Sequence, residues 1–194
     1  MPKDDYHRKL ADDLVSNLEA LGSGGSGAMP KRGENRAVLA QLRRYAGRRL
    51  GDSPAVYRLF YQLLPQHAIG KPWLEEACFL VATLYPLARG GGASIAGALR
   101  QYVAQDEQRT DAANRRLEAL LDASADELAF RLRQVVRLLD GQGIGIDWRQ
   151  TLVDVLRWDW AGHPVQKQWA RDYFGTLPAS PAAADDVTEE AGNE

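Results

Sequence analysis

The chain has 194 residues, 45% hydrophobic and 26% charged, proportions of a globular protein that can build a core without staples. One cysteine, Cys78, excludes an internal disulfide, and its place in the apolar run 77–81 reads as a buried small hydrophobe rather than a reactive thiol. No stretch approaches the ~20 unbroken apolar residues of a membrane span and no signal peptide is visible, so a cytoplasmic protein with no membrane partner is expected.

The net charge of −2 conceals a segregation of charge. Residues 1–21 hold three cations against five acids, and the tail after Pro178 holds five acids and no cation. What remains is 21 cations against 16 acids, and residues 31–60 alone carry eight cations and two acids. Arginine outnumbers lysine 19 to 5, which suits bidentate phosphate contacts but also follows from base composition.

In chain order, Tyr6, Leu10, Leu14, Leu18 and Leu21 recur at helical spacing, ahead of the flexible run Gly22–Gly27. Ala28, Met29 and Pro30 then read as a junction and a native start. Residues 1–28 are therefore expected to be an appended leader and Gly/Ser linker, decoupled from the body; a fused amphipathic helix is the alternative. From Asn35 onward nearly everything reads as helix. Residues 36–50 carry an apolar arc of Val38, Leu39, Leu42, Tyr45 and Ala46, with Arg36, Arg43, Arg44 and Arg48 around the opposite arc. Ser53 and Pro54 open a second helix, with Arg58 in it, that ends at Pro65. Lys71 and Pro72 open a third that stops near Pro86. Gly90–Gly92 make a loop before a helix over 94–105.

Thr110 can cap a helix bearing Arg115 and Arg116. Ser124 and Glu127 form a capping box, opening a helix whose Leu128, Leu132, Val135 and Leu139 make a buried stripe. Arg133 and Arg137 lie on its other side, beside Phe130 and Gln134, and Gly141 closes it. Asp147 caps a further helix that puts Trp148, Leu152, Val155 and Leu156 on one face and Gln150, Asp154 and Arg157 on the solvated one. His163 and Pro164 start the last helix, where Lys167 and Arg171 are four apart and share a face. Burial is expected for Trp148, Leu152, Leu132, Val135 and Trp169. The expected architecture is all-α, two small helical bundles over 29–105 and 106–177 with no sheet, followed by a disordered acidic tail over 178–194.

Chemistry-bearing motifs fail their structural context. Gly141, Gly143 and Gly145 follow a helix, not the strand of a dinucleotide fold, and the triple glycine at 90–92 lacks the Lys-Ser/Thr ending of a phosphate loop. His7, His67 and His163 have no partner at ligand spacing, so no metal, cofactor or catalytic residue is expected. The arginine faces remain. They are either a solvated surface or a site for nucleic-acid backbone, and no base-reading residue is evident.

The segments AVLAQLRR (37–44), SPAVYRLFYQLLP (53–65), GASIAGALRQ (92–101), LRQVVRLL (132–139), IDWRQTLVDVLRWD (146–159) and VQKQWARDYF (165–174) resemble, in the same order, the CasB family. That family supplies the small subunit of the type I-E CRISPR surveillance complex, Cascade. The resemblance implies a non-catalytic helical protein, present as a pair of copies beside the backbone and large subunits. It would contact guide RNA, target DNA and the displaced DNA strand, stabilising the R-loop through phosphate contacts. Arg43 and Arg44 match the family's basic pair after the first apolar stripe, Arg58 follows the matching Tyr57, and Arg115, Arg116 and Arg137 match cations on two later helices. Arg131 and Arg133 fall where the family's spacing varies. Lys167 and Arg171 sit in the matching last helix, facing either nucleic acid or a neighbouring subunit. The alternative function is a helical scaffold whose arginines dock acidic protein partners.

Overall fold

The computed structural model describes residues 3–23 and 32–175. Among these the protein is all-α, with helices α1 (Lys3–Ser23), α2 (Arg32–Arg44), α3 (Tyr57–Leu63), α4 (Pro72–Leu84), α5 (Ile95–Ala104), α6 (Thr110–Leu121), α7 (Ala125–Gly141), α8 (Trp148–Leu156) and α9 (Pro164–Phe174). Short 3-10 turns precede α3, α4 and α6 and follow α4. There is no sheet among the described residues, only one isolated bridge between Gly90 and Ile146. The Gly/Ser run beyond Ser23, Met29 and the acidic tail lie outside the described residues.

Start signals hold where a side chain can reach an orphan backbone N–H. Ser94 accepts from Gly97 N at 3.1 Å, Asp147 accepts from Gln150 N at 2.9 Å, and the Ser124–Glu127 capping box is complete. Pro72 and Pro164 open α4 and α9, where no N–H is needed. Three expectations are corrected. The helix expected over 36–50 ends at Arg44, because a turn follows in which Gly47 takes φ +75°, a left-handed conformation with no Cβ penalty. Thr110 does not cap; its hydroxyl donates to Glu107 O at 2.6 Å, and Asp106 caps the preceding 3-10 turn instead. Ser53 donates to Arg49 O at 3.0 Å and leaves the next turn uncapped.

The leader is part of the core. Leu10, Ala11, Leu14, Val15, Leu18 and Leu21 of α1 are all buried, because a stripe at this spacing gains about 1.5–3 kcal/mol for each leucine removed from water. Helix α1 packs chiefly along α8 and also touches α2, α3 and α4. Polar contacts fix its register: Tyr6 donates to His67 O at 2.8 Å and Asn17 to Leu63 O at 2.9 Å. The expectation that the Gly/Ser linker decouples this segment is therefore corrected.

Helix α8 is correspondingly enclosed. Trp148, Thr151, Leu152, Val153, Asp154 and Leu156 are buried, which is most of its circumference, since α1 and α4 both lie against it. Asp154, expected on a solvated face, accepts from Gln150 Nε2 at 2.7 Å and from the Trp169 indole of α9 at 2.8 Å. Burial pushes its carboxyl up to about 6, against the lowering effect of those two hydrogen bonds and of Arg157. Trp148, Leu152, Leu132, Val135 and Trp169 are all buried as expected. Burial also pushes the Cys78 thiol up to about 12, which leaves it unreactive. A single hydrophobic cluster joins α1 (Leu14), α5 (Leu99), α6 (Leu117), α7 (Val136) and α9 (Trp169), so described helices on both sides of the expected boundary at residue 105 contribute to it.

The two glycine-rich loops have a structural task. Gly91 N donates to Ile146 O at 2.8 Å and Ile146 N to Arg89 O at 3.1 Å, drawing the loops together. A Cβ on Gly91 would lie 2.6 Å from the carbonyl carbon of Gly145, and one on Gly145 would lie 2.7 Å from Gly90 O. Neither position tolerates a side chain.

Candidate nucleic-acid interface

Helix α7 organises the arginines. Its buried stripe of Leu128, Leu132, Val135, Val136 and Leu139 faces α4, α5 and α6, so the remaining arc points outward. On one flank the segment after α2 runs antiparallel to it. Arg48 shares a groove with Ala125 and Ala129, Gly47 lies against the Arg133 side chain, and Arg43 shares a shallow recess with Asp140. On the other flank α6 and α7 enclose a groove of about 370 Å³ lined by Ala112, Arg115, Arg116, Ala119, Arg131, Gln134 and Val135. Arg137 lies on the exposed arc between the flanks.

The cations here are not ion-paired among the described residues. Among the described residues, ion pairs engage Lys9, Arg49, Arg109, Arg149 and Arg157, with His67 beside Asp13, and none of the twelve candidate cations. Arg49 is held by Asp126, and Arg149 lies 2.8 Å from Glu19 and 3.2 Å from Asp12. The guanidinium of Arg149 holds the Glu19 carboxyl below its usual range. Arg157 lies 2.9 Å from Asp4 and 5.2 Å from the Trp160 ring centroid. The candidates make softer contacts: Arg48 lies 5.7 Å from the Tyr45 ring centroid, Arg131 lies 6.0 Å from that of Phe130, and Arg116 donates to Ala112 O at 2.9 Å. Arg133 Nε is buried without a hydrogen-bond partner among the described residues, because its stem packs on the Gly47 turn.

Not all candidates converge. Arg43, Arg48, Arg115, Arg116, Arg131, Arg133 and Arg137 border α7 and Arg44 follows Arg43 at the exposed end of α2, whereas Arg36 sits in the first half of that helix. Arg58 is exposed on α3, which packs against α1, and Lys167 and Arg171 are exposed on α9, which packs against α5 and α6. Arg89, exposed in the recess with Arg43, escapes a reading of the sequence because it is a lone cation between a 3-10 turn and a glycine loop. The signal in the sequence is cations in pairs. Among the described residues no group of three or more His, Cys, Asp or Glu is placed to hold a metal, and no helix is long and apolar enough to cross a membrane.

Fold and surface together define a class: a small helical bundle whose arginines around α7 make no ion pair among the described residues. The chain belongs to the family of the CRISPR-associated protein Cse2, whose model matches residues 38–174. A Cse2 protein from Thermus thermophilus is 41% identical over 101 residues, a stretch covering 52% of this chain and 57% of that relative's length. The crystal structure of a Cse2-family protein from the same organism superposes with a TM-score of 0.68 at 32% identity, covering 85% of this chain and 97% of that one. CasB from M. ruber is 26% identical with a TM-score of 0.62, over 86% and 93% of the two chains. A chain of a CRISPR RNA-guided surveillance complex shares the fold, with a TM-score of 0.69 at 24% identity over 89% and 95%.

Proposed function

We propose that this protein is the non-catalytic small subunit of a type I-E CRISPR surveillance complex, Cascade, and that it stabilises the guide RNA–target DNA R-loop by sequence-independent contacts to nucleic-acid backbone. The observation that carries this reading is the surface around α7 and the end of α2, where Arg43, Arg44, Arg48, Arg115, Arg116, Arg131, Arg133 and Arg137 have no ion pair among the described residues. Membership of the Cse2 family and the likeness to a chain of a CRISPR RNA-guided surveillance complex supply the context. Guanidinium groups without base-reading partners suit phosphate, and R-loop formation is near balance in pairing energy, so a few backbone contacts tip it. The partners in this reading are the backbone and large subunits, a second copy of the chain, guide RNA, target DNA and the displaced strand, in the cytoplasm.

The test is Arg43→Ala with Arg44→Ala in the reconstituted complex. Both side chains are exposed, so the substitution leaves the core alone. The expected result is normal subunit content with weaker retention of every target sequence alike, since phosphates carry no sequence information. Loss of the mutant subunit from the complex would mean that these arginines dock acidic protein partners, and the nucleic-acid reading would fail.

A further inference from the structure

We propose that Phe130 is a stacking platform for an unpaired DNA base, set between the phosphate-binding arginines of α7; the proposal rests on the R-loop reading above. Phe130 lies on the exposed arc of α7 with 54% of its surface in water. Gln134 and Arg137 follow it at positions i+4 and i+7, on the same face. The Arg131 guanidinium stands 6.0 Å from its ring centroid, at the edge of the groove lined by Arg115 and Arg116. The two acids of the first helical turn are engaged, Asp126 with Arg49 and Glu127 in the capping box, so the ring is bordered by free cations.

Trp73 and Tyr61, also exposed, lack this setting. Trp73, 55% exposed, lies edge-on to His7 and shares its groove with Glu76 and Asp159 as well as the paired Arg49 and Asp126. Tyr61 donates its hydroxyl to Glu75. A phosphodiester strand is repelled by such carboxylates and attracted to the α7 arc.

An exposed phenyl ring flanked by cations matches a strand whose bases are unstacked: phosphates meet the guanidiniums and a base face covers the ring. Duplex hides its base faces and cannot do this. In an R-loop the guide pairs with the target strand, and the displaced DNA strand is the one left with unpaired bases. That strand is the occupant proposed here.

The experiment compares the full-length protein and its Phe130→Ala and Phe130→Trp variants, binding an oligothymidylate and an abasic DNA strand of equal length across a salt series. Wild type is expected to favour the oligothymidylate by about 5-fold or more, the lower end of a single base–aromatic stack. Phe130→Ala should abolish that preference by weakening oligothymidylate binding alone, with the salt slope unchanged, and Phe130→Trp should preserve it. An equal loss on both strands, or a preference that survives Phe130→Ala, overturns the stacking platform while leaving the arginine surface standing. Wild-type protein that binds both strands equally does the same. Wild-type protein that binds neither strand overturns the arginine reading and this one together. Intact DNA binding by Phe130→Ala, with the subunit lost from the assembled complex, makes Phe130 a protein contact and overturns the platform. The side chain is exposed, so equal thermal midpoints are expected throughout and control for folding.

Discussion

Helices α7 and α8 carry similar sequences of arginines among apolar residues, yet the fold treats them in opposite ways. On α8 Arg149 meets Asp12 and Glu19, and at its C-cap Arg157 meets Asp4, all acids of α1, and the helix is buried around most of its circumference. On α7, Arg131, Arg133 and Arg137 keep an outward arc with no ion pair among the described residues. The difference lies in α1, which supplies α8 with both its apolar cover and its counter-charges. An amphipathic pattern therefore becomes a free surface or an internal joint according to what the rest of the chain brings to it.

The largest way to break the comparison is to remove residues 1–23. Four buried leucines at about 1.5–3 kcal/mol each approach the roughly 5–15 kcal/mol of net stability typical of a domain. The truncated protein should fail to fold or aggregate, as followed by circular dichroism and gel filtration. A cooperative thermal transition at the full-length temperature would show that α1 is dispensable.

Next in size is Trp148→Ala, at the start of α8, where the indole is buried, lies 5.8 Å from the Tyr85 ring and donates to Ala88 O at 3.3 Å. The loss should be about 3–5 kcal/mol. An unmoved denaturation midpoint would contradict the enclosed picture of α8.

A third effect depends on pH. The folded-state pKa of Asp154, about 6, lies above its ordinary value of 3.8, so between these values the folded protein holds a proton that the unfolded chain has released. Stability from this group is thus present below pH 3.8 and lost as pH rises through 6, a span of about 3 kcal/mol. Asp154→Asn cannot ionise. Its stability relative to wild type should rise across this window and level off above it, read by urea unfolding at several pH values. Comparing variant with wild type cancels Glu19, whose lowered pKa acts in the opposite sense. A constant difference across pH would mean that Asp154 is solvated after all.

Much of the fold was legible because local signals and tertiary packing agree: the capping box at Ser124, Asp147 before Trp148, and the stripe of α7 all appear where the pattern put them. The end of α2 was not, because apolar spacing continues through Tyr45 and Ala46 while the left-handed Gly47 is decided by close packing against Arg133. Asp154 looked like a surface acid because its two partners, Gln150 and Trp169, include one from another helix. The decoupling of α1 was expected for the opposite reason: a flexible composition at Gly22–Gly27 outweighed a helical stripe that was already visible. The arginine pairs were legible, and their convergence on α7 was not, since the α2 turn and α6 approach it from different parts of the chain.

The smallest energetic effect bears most directly on the central claim that α7 cations are free and α8 cations are engaged. Arg115→Ala with Arg137→Ala should change stability by no more than about 0.5 kcal/mol, as for other exposed positions. Arg149→Ala should cost about 1 kcal/mol by loosening the α1–α8 joint. The decisive measurement is the salt dependence of single-stranded DNA binding by these two variants and wild type. The account predicts a log–log slope shallower by about 1.4 for the Arg115/Arg137 variant, because two phosphates are no longer neutralised, and an unchanged slope for Arg149→Ala. A slope left intact by the first variant, or lowered equally by the second, would contradict it.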